Sequence, residues 1–355
     1  MHDVAVIGGG VVGAAVTLAL ARRGADTVLL EAQDAPARGA SGANSGLLHV
    51  PFDSPPGELE TRLIMRSAEL RGPLIDALGI PVRRCGGLVR PRDAGERVTV
   101  ARLAAQAREN GVEAILHDDG ALELPGEAVT DPVVYTTAVA AAAAAAGAEI
   151  RTGFRVTGRR GDELTSEAGS VRCRTVVNCA GLYGDDVARL FGDDSFEIFP
   201  RKGEFLVFEG VPLERVLLPV PTAHTRGVLV FPTVDGRVIA GPTAHDQADK
   251  TDWSVRPESI AGVRRAAARL LPELEHAEPI AAFAGLRPAG RGCNYVIGRS
   301  RASPQLVNVA AIRSTGLSAS LGIAEHVAEL VVPGARERPL PAVSAPPASG
   351  PWWRR

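Results

Sequence analysis

The sequence carries almost no excess charge, because 39 lysine and arginine residues stand against 41 aspartate and glutamate residues. The resulting formal net charge of -2 gives no electrostatic basis for binding nucleic acid or an acidic membrane surface. Long apolar runs are lacking too, since a glycine triplet interrupts residues 4–20 and nothing later reaches the length of a membrane-spanning helix. We therefore predict no nucleic-acid partner and no transmembrane segment, and any anionic ligand has to be held by local groups.

Cysteine is scarce and scattered along the chain. The four cysteines are Cys85, Cys173, Cys179 and Cys293, and no two of them have the CxxC spacing of a zinc, iron–sulfur or redox site. This pattern predicts reduced thiols in a cytoplasmic protein that holds no metal.

The N-terminal 31 residues have the pattern of one βαβ unit. An apolar strand over residues 4–7 is followed by a glycine turn, a helix over 11–23 and a second strand over 27–31. The length of 355 residues fits one large domain or two interlocked domains, and the apolar fraction of 45% is that of an ordinary globular protein. The unit predicts that a parallel sheet begins the fold.

A dinucleotide fingerprint lies inside this unit. Gly8 permits a tight turn, Gly10 lets the backbone approach a pyrophosphate, and Gly13 allows the helix to pack closely on the strand. The helix N-terminus attracts the phosphates, and Glu31 at the end of the second strand is placed to accept hydrogen bonds from the adenosine ribose. The alternative is a glycine-rich turn without a ligand.

The rest of the chain alternates between helical and strand patterns. A helix over 132–146 is signalled by Asp131 as its cap, Pro132 in its first turn and Gly147 at its end, and its alanine run suggests close packing on a sheet. Residues 203–247 read as an antiparallel sheet, whereas the proline-rich residues 333–355 are predicted to be disordered. Further helices are predicted over 58–78, 94–110, 257–270 and 317–331, and further strands over 83–91, 149–159, 171–172, 175–178 and 305–312.

The small residues 39–46 favour a flavin over a nicotinamide. A nicotinamide enzyme usually continues from the first βαβ unit to another, whereas this chain breaks into GASGANSG, which can press backbone amides and hydroxyls against an extended ligand. The hypothesis at this point is FAD, with the loop following it from the pyrophosphate to the ring.

Seven segments, taken in order, resemble the FAD-dependent D-amino acid oxidase (DAO) superfamily over about residues 2–332. The residues in these segments and the order of the segments are most similar to the branch that contains FAD-dependent glycerol-3-phosphate dehydrogenases and L-2-hydroxyglutarate oxidases. The segments are GGGVVGAAVTLALARRG, GASGANSGLLH, TVVNCAGLYGDDVA, RKGEFLVF, GVLVFPTVDGRVIAGPTA, AGLRP and AAIRSTGLSASLGIAEHVAELV.

This resemblance implies an α/β fold with two domains. A Rossmann-like FAD-binding domain of the GR2 type would be assembled from residues 1–78, 131–198 and 284–332. A substrate domain built on a mixed or antiparallel sheet would take residues 79–130 and 199–283.

The resemblance also implies a set of cofactor contacts. The loop would supply Ser41, Asn44, Ser45 and Gly46 along the pyrophosphate, ribityl chain and flavin ring. Val156, on the strand after the alanine helix, would meet the adenine, and Ala180 and Gly181 would approach the diphosphate and ribose. The start of the last helix would place the backbone of Gly316, Leu317 and Ser318 against the flavin pyrimidine, where the helix dipole favours negative charge.

Three side chains are predicted to act on the substrate. Arg287 in AGLRP matches the family arginine that holds a substrate anion, and Arg313 lies where a second arginine often approaches the same pocket. His49 is the leading candidate for the base that accepts a hydroxyl proton, since a neutral imidazole suits that task near pH 7. The alternative bases are His224, His245 and Lys202.

The predicted reaction is hydride transfer to FAD from a small anionic secondary alcohol, with sn-glycerol 3-phosphate as the first hypothesis. A 2-hydroxy acid such as L-2-hydroxyglutarate, an amine or amino acid, and a redox-inactive FAD-binding subunit stay open as alternatives. Oxygen, a quinone or a partner iron–sulfur protein could accept the electrons. The expected location is the cytoplasm, with peripheral membrane contact through a partner as the alternative.

Overall fold

Two β-sheets form the frame of the molecule, and the computed structural model describes residues 1–222, 226–348 and 350–354. Within these residues the helices are α1 (Val11–Arg22), α2 (Leu59–Leu78), α3 (Ala94–Glu109), α4 (Pro132–Ala145), α5 (Gly184–Arg189), α6 (Pro257–Ala268) and α7 (Gly316–Val331). The strands are β1 (His2–Ile7), β2 (Thr27–Leu30), β3 (Leu47–Leu48), β4 (Val82–Arg83), β5 (Gly87–Val89), β6 (Ile115–Leu116), β7 (Leu122–Leu124), β8 (Ala128–Thr130), β9 (Glu149–Arg151), β10 (Gly158–Arg160), β11 (Glu163–Ser166), β12 (Gly169–Asn178), β13 (Ile198–Phe208), β14 (Val216–Leu218), β15 (Leu229–Pro232), β16 (Val238–Gly241), β17 (His245–Asp246), β18 (Ala281–Gly290), β19 (Val296–Arg299) and β20 (Leu306–Ala310).

The first sheet grows from the predicted βαβ unit. Its strands β9, β2, β1, β12 and β20 run parallel, β19 pairs antiparallel with β20, and β10 and β11 form a hairpin on the first half of β12. Val4 and Val6 pack into the core formed with α1, α4 and α7, whereas Ala5 and Ile7 pack on the opposite face. Because both faces are buried, β1 is a nearly continuous apolar run rather than an alternating one.

The alanine-rich helix α4 is capped as predicted. The Asp131 carboxylate accepts hydrogen bonds from the backbone of Val133 at 2.8 Å and Val134 at 3.0 Å, and Pro132 occupies the first turn. The helix packs mainly on α1, however, and contacts the first sheet less than expected, at β9. Small side chains on both helices allow this close approach, so the alanine run serves a helix–helix contact.

The second sheet is largely antiparallel and follows the path β17, β13, β16, β15, β14, β5, β7 and β6, with β18 on β13. Side chains of β13 alternate, so that Phe205 and Val207 face the core beside α3, and Leu206 and Phe208 face the core beside α6. A small third sheet joins β3, β8 and β4. The structure therefore confirms a mixed α/β fold with parallel and antiparallel sheets.

One predicted domain boundary falls inside a strand. β18 pairs with β13 along its whole length, from Ile198 opposite Gly290 to Val207 opposite Ala281. Residues 284–290, which the sequence assigned to the FAD-binding domain, therefore belong to the second sheet. The physical reason is that an uninterrupted ladder cannot be divided between two domains without losing its hydrogen bonds.

The C-terminal tail was predicted to be disordered, and its described residues instead pack on the protein. The Arg338 backbone donates to Arg22 at 2.8 Å, and the Ala345 backbone donates to Leu78 at 2.7 Å. Trp352 and Trp353 are buried in the core of the second sheet, and Trp352 meets the Phe283 ring edge-on. Proline disfavours helix and central strand, but it does not prevent a short 3-10 turn, Trp352–Arg354, from burying two indole rings.

The helices in the described part of the chain are each too short or too polar to cross a membrane.

The buried indole makes the tail a testable part of the fold. We expect Trp352→Ala to lower the free energy of unfolding by about 3–5 kcal/mol, because it removes a large buried side chain and leaves a cavity. Arg336→Ala, a change at an exposed tail position, is the matched control. Urea unfolding curves of the two variants and the wild type would show the difference; equal curves for all three would mean that the tail does not pack.

Candidate active site

A large cavity lies between the two sheets. Its volume is about 1180 Å³, above the range of about 300–1,000 Å³ that holds most small ligands. It is lined on one side by the carboxyl ends of β1 and β2, and on the other by β13 and β18. The carboxyl ends of parallel strands are where open α/β sheets bind ligands, and here the space continues into a second sheet.

The glycine turn has the geometry that the fingerprint requires. Gly8 has a φ of +108°, and a Cβ there would lie 2.4 Å from the carbonyl oxygen of Cys179. A Cβ on Gly13 would lie 1.9 Å from the Gly8 oxygen, so that glycine sets the approach of α1 to β1. Gly8 and Gly10 line the cavity, whereas Gly13 lies behind the turn.

Glu31 lies beside this turn and lines the cavity. Its carboxylate accepts hydrogen bonds from the backbone of Gly9 at 2.6 Å and of Gln33 at 2.7 Å. Backbone donors thus hold a negative group at the end of β2, and its action on a ribose stays a prediction.

The loop 39–46 is held in one shape by its own side chains. Ser41 accepts a hydrogen bond from the Val11 backbone at 2.9 Å, which ties the loop to the first turn of α1. The Asn44 side-chain amide donates a hydrogen bond to the backbone carbonyl oxygen of Ser41 and accepts one from the Gly46 backbone N–H, both at 2.7 Å. Ser41, Asn44 and Ser45 line the cavity.

Gly46 has a different place from the one expected. It lies outside the cavity lining, with a φ of +70° and room for no side chain, because a Cβ would lie 2.4 Å from the Thr130 oxygen. Its own oxygen accepts from the Thr130 backbone at 2.8 Å. Gly46 therefore fixes the loop against the start of α4, and its contact with the cofactor stays a prediction.

The opposite rim of the cavity carries Val156, Ala180 and Gly181. Val156 was expected on a strand, but it lies in the connection between β9 and β10, because the predicted strand over 149–159 is broken into two short strands. Ala180 and Gly181 follow the end of β12, where Gly181 takes a φ of +56°. The three predicted residues are brought to the cavity together.

The start of α7 closes another part of the wall. Gly316 and Leu317 line the cavity, in keeping with the predicted backbone contacts. Ser318 does not, and its buried hydroxyl instead accepts a hydrogen bond from the His49 backbone at 2.8 Å. The flavin contact of Ser318 stays a prediction, and the residue anchors the catalytic candidate His49.

His49 lines the cavity and pairs with a carboxylate that the sequence motifs did not reveal. Its Nδ1 lies 2.8 Å from Oε2 of Glu127, whose side chain is fully buried. Burial by itself would lower the pKa of His49, but the charge and hydrogen bond of Glu127 outweigh it and raise that pKa. The nearby Asp53 pairs with Arg226 at 2.8 Å, and burial raises the pKa of Asp53.

Arg287 lines the cavity with no counter-ion among the residues that the structure describes. Its guanidinium donates only to carbonyl oxygens, those of Arg201 at 3.1 Å, Lys202 at 3.2 Å and Thr243 at 2.6 Å, and among the described residues no carboxylate pairs with it. Burial, together with the charge of Arg201, lowers its pKa to about 10, so it stays protonated at neutral pH. A held but unneutralised guanidinium is a binding site for an anion.

Arg313 also reaches the cavity, but its charge is balanced. It donates to Glu60 at 3.2 Å, and its backbone takes a φ of +52° while donating to the Pro288 oxygen. Glu60 is buried and also accepts from Asn294 and Thr315, each at 2.8 Å. Neither Glu60 nor Glu127 stands in a recognisable motif, so sequence reasoning missed both.

Two of the three alternative bases, Lys202 and His245, lie outside the cavity lining. Lys202 is buried outside the lining and donates to Asp252 at 2.7 Å, and His245 also lies outside the lining with a half-exposed ring. His224 lies outside the described residues. Across the ranges that the structure describes, no group of three or more His, Cys, Asp or Glu side chains is arranged to hold a metal ion.

The fold and the cavity together define a class of protein. A parallel sheet with a glycine turn, an acid after its second strand and a cavity that continues into a second sheet is the frame of a flavin-dependent oxidoreductase. Residues 3–330 match the family model described as DAO, FAD dependent oxidoreductase, so the chain belongs to this family. It is an FAD-dependent oxidoreductase.

Several proteins are similar over most of the chain. A glycerol 3-phosphate dehydrogenase from Caloramator mitchellensis is 29% identical, over 93% of this chain and 74% of that protein. A glycerol 3-phosphate oxidase from Mycoplasma pneumoniae is 26% identical, over 93% of this chain and 94% of that one. A mitochondrial L-2-hydroxyglutarate dehydrogenase from Nematostella vectensis is 28% identical, over 68% of this chain and 62% of that protein.

Solved structures share the fold. L-alpha-glycerophosphate oxidase from Mycoplasma pneumoniae, determined with FAD bound, superposes with a TM-score of 0.88 at 24% identity, over 98% of this chain and 99% of that one. Glycine oxidase from Geobacillus kaustophilus superposes with a TM-score of 0.83 at 25% identity, over 98% of this chain and 99% of that one. The same fold thus occurs in one protein whose name gives an alcohol substrate, glycerophosphate, and in another whose name gives an amine substrate, glycine.

The residues present fit FAD. The cavity is long enough to contact the glycine turn, the loop 39–46 and the start of α7, and the backbone at Gly8 leaves no room for a side chain. Glu31, Ser41 and Asn44 supply polar groups along this path. We expect these residues to hold the dinucleotide, with Val156 and Gly181 at its adenosine end.

The close contact between Gly285 of β18 and Ala43 of the loop 39–46 allows a test of the predicted FAD site. A Cβ on Gly285 would lie 1.9 Å from the Ala43 oxygen, so we expect Gly285→Ala to push the loop away and to cost at least about 1–3 kcal/mol of stability. The purified variant should show a lower flavin-to-protein absorbance ratio and a lower melting temperature.

The control is Gly262→Ala, inside α6, where an added Cβ meets nothing within 4 Å. It should leave the FAD content unchanged and raise stability slightly. A full complement of FAD and an unchanged melting temperature in Gly285→Ala would contradict the close contact.

Proposed function

We propose that this FAD-dependent oxidoreductase oxidises sn-glycerol 3-phosphate to dihydroxyacetone phosphate. The observation that carries the proposal is the guanidinium of Arg287, which faces the cavity and is bonded to three carbonyl oxygens but to no carboxylate among the described residues. Such a group needs an anion, and a phosphate or carboxylate bound there would be oriented in two places.

The neighbouring arginines support this choice of anchor. Arg313 is balanced by Glu60, and Arg226 is balanced by Asp53 at 2.8 Å, although both line the same cavity. Arg201, which also lines the cavity, pairs with Asp246, and Arg155 is exposed. Of the half-buried arginines in the lining, Arg287 is the one that no carboxylate pairs with among the described residues. We therefore assign Arg287 to the substrate anion and give Arg313 a supporting role at the cavity wall.

His49 is the group in the cavity suited to take the hydroxyl proton. The imidazole lines the cavity, and Glu127 occupies its Nδ1, so Nε2 is the nitrogen left for a substrate. Bound FAD would supply the acceptor for the hydride that leaves the carbon carrying the hydroxyl. The base has to be neutral before the reaction, so the rate should rise with pH through the raised pKa of His49.

The similar proteins favour phosphate as the anion. Those named for glycerol 3-phosphate match 93% of this chain, whereas the L-2-hydroxyglutarate dehydrogenase matches 68% of it. L-2-hydroxyglutarate is the second candidate, since a guanidinium binds a carboxylate equally well. The likeness to glycine oxidase keeps an amine substrate as the third.

A substrate screen separates these candidates. The oxidised, FAD-loaded protein is mixed without oxygen with sn-glycerol 3-phosphate, L-2-hydroxyglutarate, glycine or L-proline, and the flavin absorbance is followed. We expect sn-glycerol 3-phosphate to bleach the flavin fastest. Bleaching by only one of the other compounds would overturn the proposed substrate.

The electron acceptor is tested in the same preparation. After reduction by substrate, the rate of reoxidation is measured with oxygen, with a soluble quinone and with a one-electron acceptor in place of an iron–sulfur partner. We propose oxygen or a quinone, because relatives are named both oxidase and dehydrogenase.

Replacing the anchor should weaken substrate binding and leave the cofactor in place. We expect Arg287→Met to lower kcat/KM by about 10–100-fold, mostly through KM, because a charged hydrogen bond contributes about 1.5–3 kcal/mol. Steady-state kinetics with sn-glycerol 3-phosphate and the flavin content of the variant are the measurements.

Arg291→Met is the matched control, since Arg291 is exposed and pairs with Glu197 at 2.8 Å. It should keep the wild-type KM. Loss of FAD from Arg287→Met, or an unchanged KM, would show that Arg287 does not bind the substrate.

A further inference from the structure

Glu127 is a buried acid that is held from several sides, and it contacts His49, which lines the cavity. Its Oε1 accepts a hydrogen bond from the Val50 backbone at 2.9 Å, and its own backbone oxygen accepts from Gly86 at 2.9 Å. The side chain has no exposed surface, and a Cβ on Gly87 would come within 2.9 Å of its Cγ. The carboxylate therefore has little freedom to move.

This fixed carboxylate determines which nitrogen of His49 can react. Oε2 of Glu127 lies 2.8 Å from Nδ1, and the His49 backbone is fixed separately by the Ser318 hydroxyl. About a quarter of the His49 side chain is exposed, toward the cavity that it lines. With Nδ1 occupied, the ring has one nitrogen, Nε2, to offer to a ligand.

The charges around the pair also favour a proton on the ring. Glu127 and Asp53 act on His49 as negative groups, and Arg226 acts on it as a positive group. The buried Arg71 of α2 acts on Glu127 as a further positive group. The balance raises the pKa of His49, which is consistent with a carboxylate that stabilises imidazolium more than burial disfavours it.

We propose that Glu127 is a positioning residue for the reaction: it holds the His49 ring through Nδ1, presents Nε2 to the substrate and stabilises the imidazolium that the reaction forms. The inference rests on the proposed function, because it takes His49 as the base. The substrate O–H bond breaks with its proton going to Nε2, and the C–H bond breaks with its electron pair leaving as hydride to FAD. The product is a ketone, so atoms and charges balance.

The pH profile gives the proposal a direct consequence. Because His49 has to be neutral to accept a proton, the rate of flavin reduction falls as the pH drops through its raised pKa. Removing the negative charge of Glu127 removes the main cause that raises this pKa, ahead of Asp53, so the acid limb of the profile should move to lower pH. The maximal rate should also fall, because the imidazolium loses its counter-charge.

Glu127→Gln is the test variant, since it keeps the shape of the side chain and removes the charge. Anaerobic flavin reduction by sn-glycerol 3-phosphate is measured by rapid mixing across the pH range. We expect the acid limb to shift to lower pH and the plateau rate to drop by about 10-fold or more, a part of the 10²–10⁴ that a general base supplies. Flavin content and melting temperature report whether the variant is folded.

Glu123→Gln is the matched control. Glu123 also pairs with a histidine, with Nε2 of His117 3.0 Å from its carboxylate, but on the surface and outside the cavity lining. This variant should keep the wild-type profile. An unmoved acid limb in Glu127→Gln, or an equal shift in Glu123→Gln, would overturn the proposal.

A substrate-free measurement separates this inference from the proposed function. The histidine ring signals of the FAD-loaded protein are titrated by NMR, and the His49 signal is assigned by its loss in His49→Gln. We expect the His49 pKa to be lower in Glu127→Gln than in the wild type, and equal values would overturn the proposal. If no alcohol reduces the wild-type flavin, the proposed function fails, and the NMR comparison still decides whether Glu127 controls His49.

Discussion

The contact between the backbone of Gly285 and the carbonyl of Ala43 joins the two halves of this flavoprotein. It brings β18 of the second sheet against the loop that leaves the βαβ unit, at a distance that excludes any side chain. The glycine turn, the loop and Arg287 line one cavity as a consequence. Were the sheets farther apart, the dinucleotide-binding turn and the anion-binding arginine would belong to separate clefts.

The arginines that line the cavity differ in whether a carboxylate balances their charge, and this difference determines where we expect an anionic substrate to bind. Arg226 and Arg313 each meet a carboxylate, whereas Arg287 meets only carbonyl oxygens in the described structure. A charge that is removed from water is destabilising unless an opposite charge pairs with it. An anionic substrate would therefore be stabilised by pairing with the guanidinium of Arg287. The His49–Glu127 pair places a proton-accepting nitrogen in the same space.

The features that could be predicted from the sequence are those whose partners are close in the chain. Gly8 and Gly13 belong to one turn and one helix, and Asp131 caps a helix that begins at the next residue. Glu127 is 78 residues from His49 in the chain, and no local sequence pattern predicts that their side chains are in contact. The packing of Trp352 was missed for a related reason, because composition reports on helix and strand propensity and not on where an extended tail binds.

Binding of an inert anion would test the account most directly. Glycerol 2-phosphate presents the same phosphate but no secondary hydroxyl, so it can occupy the anion site without reducing the flavin. We expect it to perturb the flavin spectrum of the wild type in a saturable way, and to leave the FAD-loaded Arg287→Met spectrum unchanged. An equal perturbation in both proteins would contradict an anion site that is built on Arg287 and lies within reach of the flavin.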